Sequence, residues 1–306
     1  MELSNPAVVR DLLAKYGLAP KKGYGQNFLI NPRIPAEIAE VSRGYVPDDR
    51  PAGVLEIGPG VGSLTQRLAE EYDRVVAVEI DRGLIPLLSE SLAEHDNVRV
   101  VEADFMKLDL PAFLDEHFGD LIRDGGTVSV CANLPYYITS PVLMKLLEAF
   151  PPERPVPFGS IVVMIQREVA QRLAAQAGQA DYGAITAQIA LRCRTEKRID
   201  VSPGNFLPPP KVSSAVIALI PHGGIREVYP DAPSDDEECR AFAERVSDLI
   251  ELAFGQRRKT FVNALSGKYP KEKTAAALEA CSHRPDIRGE RLSAGDFCRL
   301  ADALNK

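Results

Sequence analysis

Short apolar, β-branched runs recur along the first two-thirds of the chain, each followed by turn residues and, in most cases, by a stretch with helical spacing. The runs are Val54–Ile57, Arg74–Ile80, Val98–Ala103, Thr127–Ala132, Gly159–Ile165 and Ser214–Ile220, with Arg198–Val201 a further short one. Runs of this length and valine content read as buried strands, and strands alternating with helices read as an open α/β sheet. The helical stretches carry their own punctuation. Asn5 and Pro6 start a first helix, which Gly17 and Pro20 end. A second helix follows a glycine-rich turn and runs to about Tyr72. Pro86 fits its helix badly and predicts a kink near its start. Ser140 and Pro141 read as N-cap and first helical position of a helix from Val142 to Phe150. Further helices are expected from Gln166 toward Gln176 and from Ala184 to Leu191, and Asn205–Lys211 reads as a stiff, extended loop.

Beyond Ile220 the pattern changes. Pro221 to Glu238 mixes proline, glycine and acids and reads as a linker. After it every periodic stretch is helical: Phe242–Leu252, a basic turn from Phe254 to Thr260 entering a helix through Leu265, then Glu272–Ala280 and Ser293–Leu304. The expected organisation is an α/β domain over residues 1–222, a linker over 223–238 and a small all-helical domain over 239–306.

Composition narrows the class. Hydrophobic residues make up 45% and charged residues 26%, as in a globular protein with a sizeable core. Five cysteines without a C-x-x-C pair imply neither a disulfide framework nor a zinc site, and suit a reducing cytoplasm. The four histidines are scattered singly, so no metal site is expected. No apolar run reaches membrane-spanning length, and the N-terminus lacks the apolar core of a signal peptide. The net charge of −7 hides a segregation: Asp231–Glu251 carries eight acids against two arginines, Ala253–Lys273 six bases against one acid, and Arg10–Arg33 five bases against one acid. An acidic chain can still present a basic face to nucleic acid.

Candidate chemistry gathers at strand ends, where ligands bind in open α/β sheets. Gly58-Pro59-Gly60-Val61-Gly62 follows the first strand, and such a loop lets backbone N–H groups approach a ligand. It departs from the dinucleotide fingerprint, because Ser63 stands where the third glycine would fall. Glu79 ends the next strand about twenty residues on, the spacing at which a carboxylate meets ribose hydroxyls. Asp104 follows the third strand and can accept from an exocyclic amine. Asn133-Leu134-Pro135-Tyr136 follows the fourth: an amide that can accept from an amine, beside an aromatic ring that can stack on a flat base. Lys21 to Leu29, with two glycines, two amides and two aromatics, reads as a loop that closes over a ligand.

Together these residues resemble a known family, the ribosomal RNA adenine dimethyltransferases, and among them the housekeeping enzyme of the small subunit. The resemblance rests on G-Q-N-F-L (25–29), E-I-G-P-G-x-G-x-L-T (56–65), V-E-I-D (78–81), E-A-D (102–104), N-L-P-Y-Y (133–137), F-x-P-P-P-K-V-x-S (206–214) and F-x-Q-R-R-K-T (254–260). It implies a seven-stranded, Rossmann-like class I methyltransferase sheet with a small helical C-terminal domain that helps grip RNA. It implies S-adenosylmethionine as methyl donor and two adjacent adenosines of small-subunit RNA as acceptors. By the same resemblance, Gln26, Asn27 and Leu29 would hold the cofactor's methionine end. Gly58 and Gly60 would form its floor, Glu79 would bind its ribose and Asp104 its adenine, with Asn133 at the reacting end. Asn133, Leu134, Pro135 and Tyr136 would form the active-site stretch. Tyr136 and Phe206 would hold the target base, and Arg257, Arg258 and Lys259 the RNA. The small ribosomal subunit is the expected partner of a cytoplasmic monomer. A resistance-type methyltransferase of large-subunit RNA resembles the first half equally well; Leu134, the P-P-P-K-V-x-S loop and the R-R-K-T turn favour the small-subunit enzyme. A small-molecule methyltransferase has no need of a basic helical domain. The intact N-L-P-Y argues against a catalytically silent assembly factor. Ser63 and the missing catalytic pattern argue against a nicotinamide dehydrogenase.

Overall fold

Parallel strand pairing fixes where the site lies. In a computed structural model that describes residues 1–153 and 156–305, seven strands form one sheet. Arg154 and Pro155, in the proline-rich break, and Lys306, the last residue of the expected helical domain, lie outside the described residues. A two-residue strand, β1 (Phe28–Leu29), precedes the sheet strands β2 (Ala52–Ile57), β3 (Arg74–Glu79), β4 (Val98–Glu102), β5 (Thr127–Asn133), β6 (Ile161–Gln166) and β7 (Cys193–Val201). A second two-residue strand, β8 (Phe206–Leu207), and β9 (Ser214–Pro221) complete the set. The sheet order is β4-β3-β2-β5-β6-β9-β7, with β9 antiparallel to β6. Four parallel strands in mutual register, with Glu56 opposite Cys131 and Glu79 opposite Glu102, bring their carboxyl ends to one edge.

The chain divides into two compact units. The first comprises Met1–Ala149, Pro157–Ala170 and Glu196–Ile220. Its helices are α1 (Pro6–Lys15), α2 (Arg33–Arg43), α3 (Ser63–Glu71), α4 (Ile85–Ser91), α5 (Leu110–Arg123) and α6 (Thr139–Glu148), with α7 (Arg167–Leu173) leading out of it. Asn5 caps α1 as expected, its side chain accepting the Ala7 N–H at 2.9 Å. Apolar side chains on both faces of the sheet make the core: Ile38, Leu64 and Leu68 pack on Val54, Val75, Cys131 and Val162, while Leu3, Val9, Leu84 and Leu88 form a second cluster beside Phe28. Two helix expectations need correction. Pro86 occupies the first turn of α4, where a missing N–H costs no helical bond, so it suits the helix that it was expected to fit badly. Ser140 is not an N-cap, because a 3-10 turn over Tyr136–Ile138 runs straight into α6 at Thr139.

The second unit comprises Phe150–Val156, Gln171–Thr195 and Pro221–Lys306. It therefore takes in α8 (Ala184–Ala190), which the expected single boundary near residue 222 assigned to the α/β part. The physical reason is apolar: Tyr182, Ala187 and Leu191 are buried against Phe242, Val246, Leu249 and Phe297. The expected linker is also partly structured. It contains α9 (Ile225–Val228), whose Ile225 is buried, and the first turn of α10 (Asp236–Gly255). Asp235 caps α10 by accepting the N–H groups of Glu237 and Glu238, and the acids that read as a linker are the helix's first turn, where they face its positive end. The unit closes with α11 (Phe261–Leu265), α12 (Lys271–Ala280) and α13 (Ala294–Asn305). Ser293 and Asp296 bond each other's backbone N–H in a reciprocal cap at the start of α13.

Candidate active site

A cavity of about 330 Å³ opens at the carboxyl edge of the sheet. Its floor is the turn after β2. Gly58 and Gly60 have φ of +73° and +61°, a region that glycine enters without steric cost. A Cβ built on Gly58 meets nothing within 4 Å, so the turn leaves clear space above it. The Glu79 side chain comes up from the end of β3 and is buried. Its Oε1 accepts the Asp81 N–H at 2.8 Å and its Oε2 the Gly60 N–H at 3.3 Å. Burial pushes the Glu79 carboxyl above its ordinary range, against the pull of these N–H donors. Asp104 caps the next short turn, accepting the Met106 N–H at 3.0 Å, with Lys107 3.5 Å from its other oxygen. Ile80 and Met106, each beside one of these acids, line the cavity with exposed apolar faces.

Glu56 is the anomaly in the wall. It is 1% exposed, and burial pushes its carboxyl up to about 8, helped by the nearby charge of Glu79 and opposed by the Thr65 hydroxyl. Glu56 Oε2 nonetheless has no hydrogen bond of ordinary geometry among the described residues, and an unsatisfied acceptor in a cavity wall fits a polar ligand.

The loop from Lys21 to Leu29 forms one lip. Gln26 lines the cavity, but its amide is committed to the loop: Oε1 accepts the Lys21 N–H at 2.8 Å, and Nε2 donates to Asp81 Oδ2 at 3.0 Å. Lys21 Nζ lies 2.7 Å from the other Asp81 oxygen. Burial alone would raise the Asp81 carboxyl; Lys21, Gln26 and the Gly83 N–H together hold it below its ordinary range. Asn27 donates from its side chain to the Gly25 carbonyl. Leu29 is buried, and its strand pairs with β8, so Leu29 faces Phe206 across a two-residue ladder. Ser63 Oγ lies 2.6 Å from the Leu3 carbonyl and 3.1 Å from that of Leu29, which gives the residue in place of a third glycine a role in holding the N-terminal segment.

The opposite wall is the stretch after β5. Asn133 Nδ2 donates to the Asn27 carbonyl at 3.2 Å, which leaves Oδ1 as the free acceptor end of the amide. The Leu134 side chain is buried and its N–H bonds the Met164 carbonyl, while its own carbonyl accepts nothing among the described residues. Tyr136 is pinned through its hydroxyl, 2.9 Å from Ser214 Oγ. Pro135 and Phe206 complete the lining; Phe206, only 3% exposed, is a packed wall.

The basic turn belongs to the second unit. There Arg257 donates to the carbonyls of Tyr182 at 3.0 Å and Ala180 at 3.4 Å, whereas Arg258 and Lys259 are exposed and make no ion pair among the described residues. Among the described residues no cluster of three or more His, Cys, Asp or Glu could hold a metal ion, and no helix is long and apolar enough to cross a membrane. None of the five cysteines is in a disulfide. Sequence reasoning missed Glu56, the Lys21–Asp81 pair, the Ser214 anchor and Tyr137. The first was hidden in a strand it only marked as buried, and the others depend on partners remote along the chain.

Comparison with known proteins identifies the family. The family profile described as ribosomal RNA adenine dimethylase matches residues 17–306. The chain is 42% identical to ribosomal RNA small subunit methyltransferase A of Shouchella clausii, over 99% of this chain and 96% of that protein. It is 39% identical to the protein of the same name from Geobacillus thermodenitrificans, over 99% and 97%. Among solved structures it resembles the 23S rRNA methyltransferase ErmE, with a TM-score of 0.66 and 27% identity over 92% of this chain and all of that one. A dimethyladenosine transferase from Plasmodium falciparum gives the same TM-score at 26% identity, over 89% and 95%.

Proposed function

This chain belongs to the ribosomal RNA adenine dimethylase family, and from that premise we propose that it dimethylates two adjacent adenosines of small-subunit (16S) ribosomal RNA during ribosome biogenesis. It is a methyltransferase dependent on S-adenosylmethionine. The observation that carries the reading is the single cavity that joins the glycine turn, Glu79 and Asp104 to the Asn133 amide.

Bound S-adenosylmethionine supplies a methyl group already activated by its sulfonium. The protein's residues then bind, orient and stabilise charge. Glu79 would receive the ribose hydroxyls, and Asp104 the cofactor's adenine amine, with Ile80 and Met106 offering apolar faces to that ring. Gly58 and Gly60 keep the floor open. Asn27 and Leu29 border the methionine end, and Gln26 contributes by fastening their loop to Asp81. The target amine is a poor nucleophile because its lone pair is delocalised into the adenine ring. Asn133 Oδ1 and the Leu134 carbonyl are neutral acceptors that orient the amine and favour positive charge growing on its nitrogen. With Nδ2 tied to the Asn27 carbonyl, the Asn133 amide is held with its oxygen free for this task. Pro135 shapes the turn, and Tyr136 offers its ring to the unstacked base, with Phe206 behind it. With the methyl group supplied to the amine and no side-chain base assigned, the amine's surplus proton would pass to water.

The second unit, with Arg258 and Lys259 exposed, grips RNA phosphates. The partner is the small ribosomal subunit, met by a monomer in a reducing cytoplasm. The test is incubation with labelled S-adenosylmethionine and either undermethylated small subunits or large subunits, followed by mapping of the modified bases. Label confined to two adjacent small-subunit adenosines is expected; label on large-subunit RNA alone would assign the resistance-type reaction.

A further inference from the structure

The turn that carries Tyr136 continues through Tyr137 and Ile138 as one 3-10 turn. With about three residues per turn, successive side chains point roughly 120° apart. Tyr136 is the one pinned to Ser214. Tyr137 is left on the rim, 61% exposed, the most exposed large apolar side chain among the described residues. Its hydroxyl has no hydrogen-bond partner among them. Its ring lies against Gly25, where an added Cβ would fall 3.5 Å from Cε1. Glycine there, with φ of +60°, lets the loop pass beneath the ring and leave the rest of it bare.

The other exposed apolar residues of this cavity have an occupant in the functional reading. Ile80 and Met106 flank the two acids at the cofactor's adenine end. Tyr137 has none: it sits one residue beyond Tyr136, at the solvent-exposed rim of the cavity. We propose that Tyr137 is the stacking platform for the nucleotide adjacent to the target adenosine. This rests on the functional reading above and names a second contact of the same site. An adenosine drawn out of an RNA stack leaves its neighbour with one bare face, and a flat, uncharged ring at the rim restores a stacking partner. Because the two target adenosines are adjacent, the base on the platform is the other substrate.

Steady-state kinetics on undermethylated small subunits tests this with Tyr137→Leu and Tyr137→Phe. Leucine keeps an apolar contact on Gly25 but has no flat face. The Leu variant should raise KM for subunits about tenfold, with kcat within about threefold, as for a contact made equally before and during transfer. Its ratio of doubly to singly modified RNA should fall. The Phe variant should match wild type, and calorimetry should find cofactor affinity unchanged in both. A Leu variant with wild-type KM would make the ring mere packing. Equal losses in Phe and Leu would assign the effect to the hydroxyl, and lost cofactor affinity in Leu would make Tyr137 a prop for the loop; each result overturns the platform. A wild-type protein that leaves both adenosines unmodified would instead overturn the functional reading, and the platform with it.

Discussion

Glu79, proposed to meet the cofactor's ribose, is buried with two backbone donors already aimed at it. Glu79→Ala should weaken S-adenosylmethionine binding more than tenfold, since hydrogen bonds to a charged group are worth about 1.5–3 kcal/mol; calorimetry showing wild-type affinity would remove it from the site. Asn133 is the residue proposed to act on the chemistry. Asn133→Ala should leave cofactor affinity within a few-fold and cut turnover about a hundredfold, the scale for losing an oriented polar group at a reacting centre. Turnover near wild type would mean that the amide is not the acceptor. Glu56 instead holds a proton. Its carboxyl is pushed from an ordinary 4.5 up to about 8. Across that window the folded protein keeps a proton that the unfolded chain has released. Stability present below pH 4.5 is therefore lost as pH rises through about 8, by at most about 1.4 kcal/mol per pH unit from one group. Glu56→Gln is a neutral isostere without this slope. Its melting temperature relative to wild type should rise between about pH 5 and about pH 8; a constant gap would mean that Glu56 is ionised throughout.

Elements bring these residues together, and the same elements explain what could be read in advance. The ends of β2, β3, β4 and β5 were legible because an apolar run must stop where a polar side chain faces a ligand. Asn133, Glu79 and Asp104 all stand at such stops. Helix starts were less legible. Ser140 and Pro141 carry the right residue types for a cap, but a 3-10 turn already supplies the helix start at Thr139. Arg257 announces a cation, and nothing local says that it will serve the carbonyls of residues 180 and 182. The clasp among Lys21, Gln26 and Asp81 was invisible for the same reason, since Lys21 and Asp81 are 60 residues apart along the chain. That clasp is testable. Asp81→Ala frees both Lys21 and Gln26, so limited tryptic digestion should cleave after Lys21 faster than in wild type. Saturating S-adenosylmethionine should slow cleavage in both proteins. Equal rates in the absence of cofactor would show that the loop is held by its strand pairing alone.

At the scale of the whole molecule, charge is segregated: a net charge of −7 coexists with a basic turn in the second unit. Arg257 commits Nη2 to two carbonyls, while Arg258 and Lys259 make no ion pair among the described residues, so the phosphate contacts proposed for the turn are expected to rest chiefly on these two. Replacing these two with alanine should weaken subunit binding and flatten the plot of log affinity against log salt by about one to two. Arg257→Ala should instead lower thermal stability, and a salt slope unchanged in the double variant would return the turn to plain solvation. The pairing of β1 with β8 sets a different kind of limit. It joins the Lys21–Leu29 lip to the Phe206 wall through the main chain, and the Asn31–Asn205 side-chain bond beside it spans 174 residues. During synthesis the glycine turn, both acidic strand ends and the Asn133 stretch all leave the ribosome before Phe206 does. The β9 strand, which is antiparallel to β6, comes later still. A nascent chain therefore carries the glycine turn, Glu79, Asp104 and Asn133 before residues 206–207 are made to pair with residues 28–29, so that ladder is expected to close only late in translation.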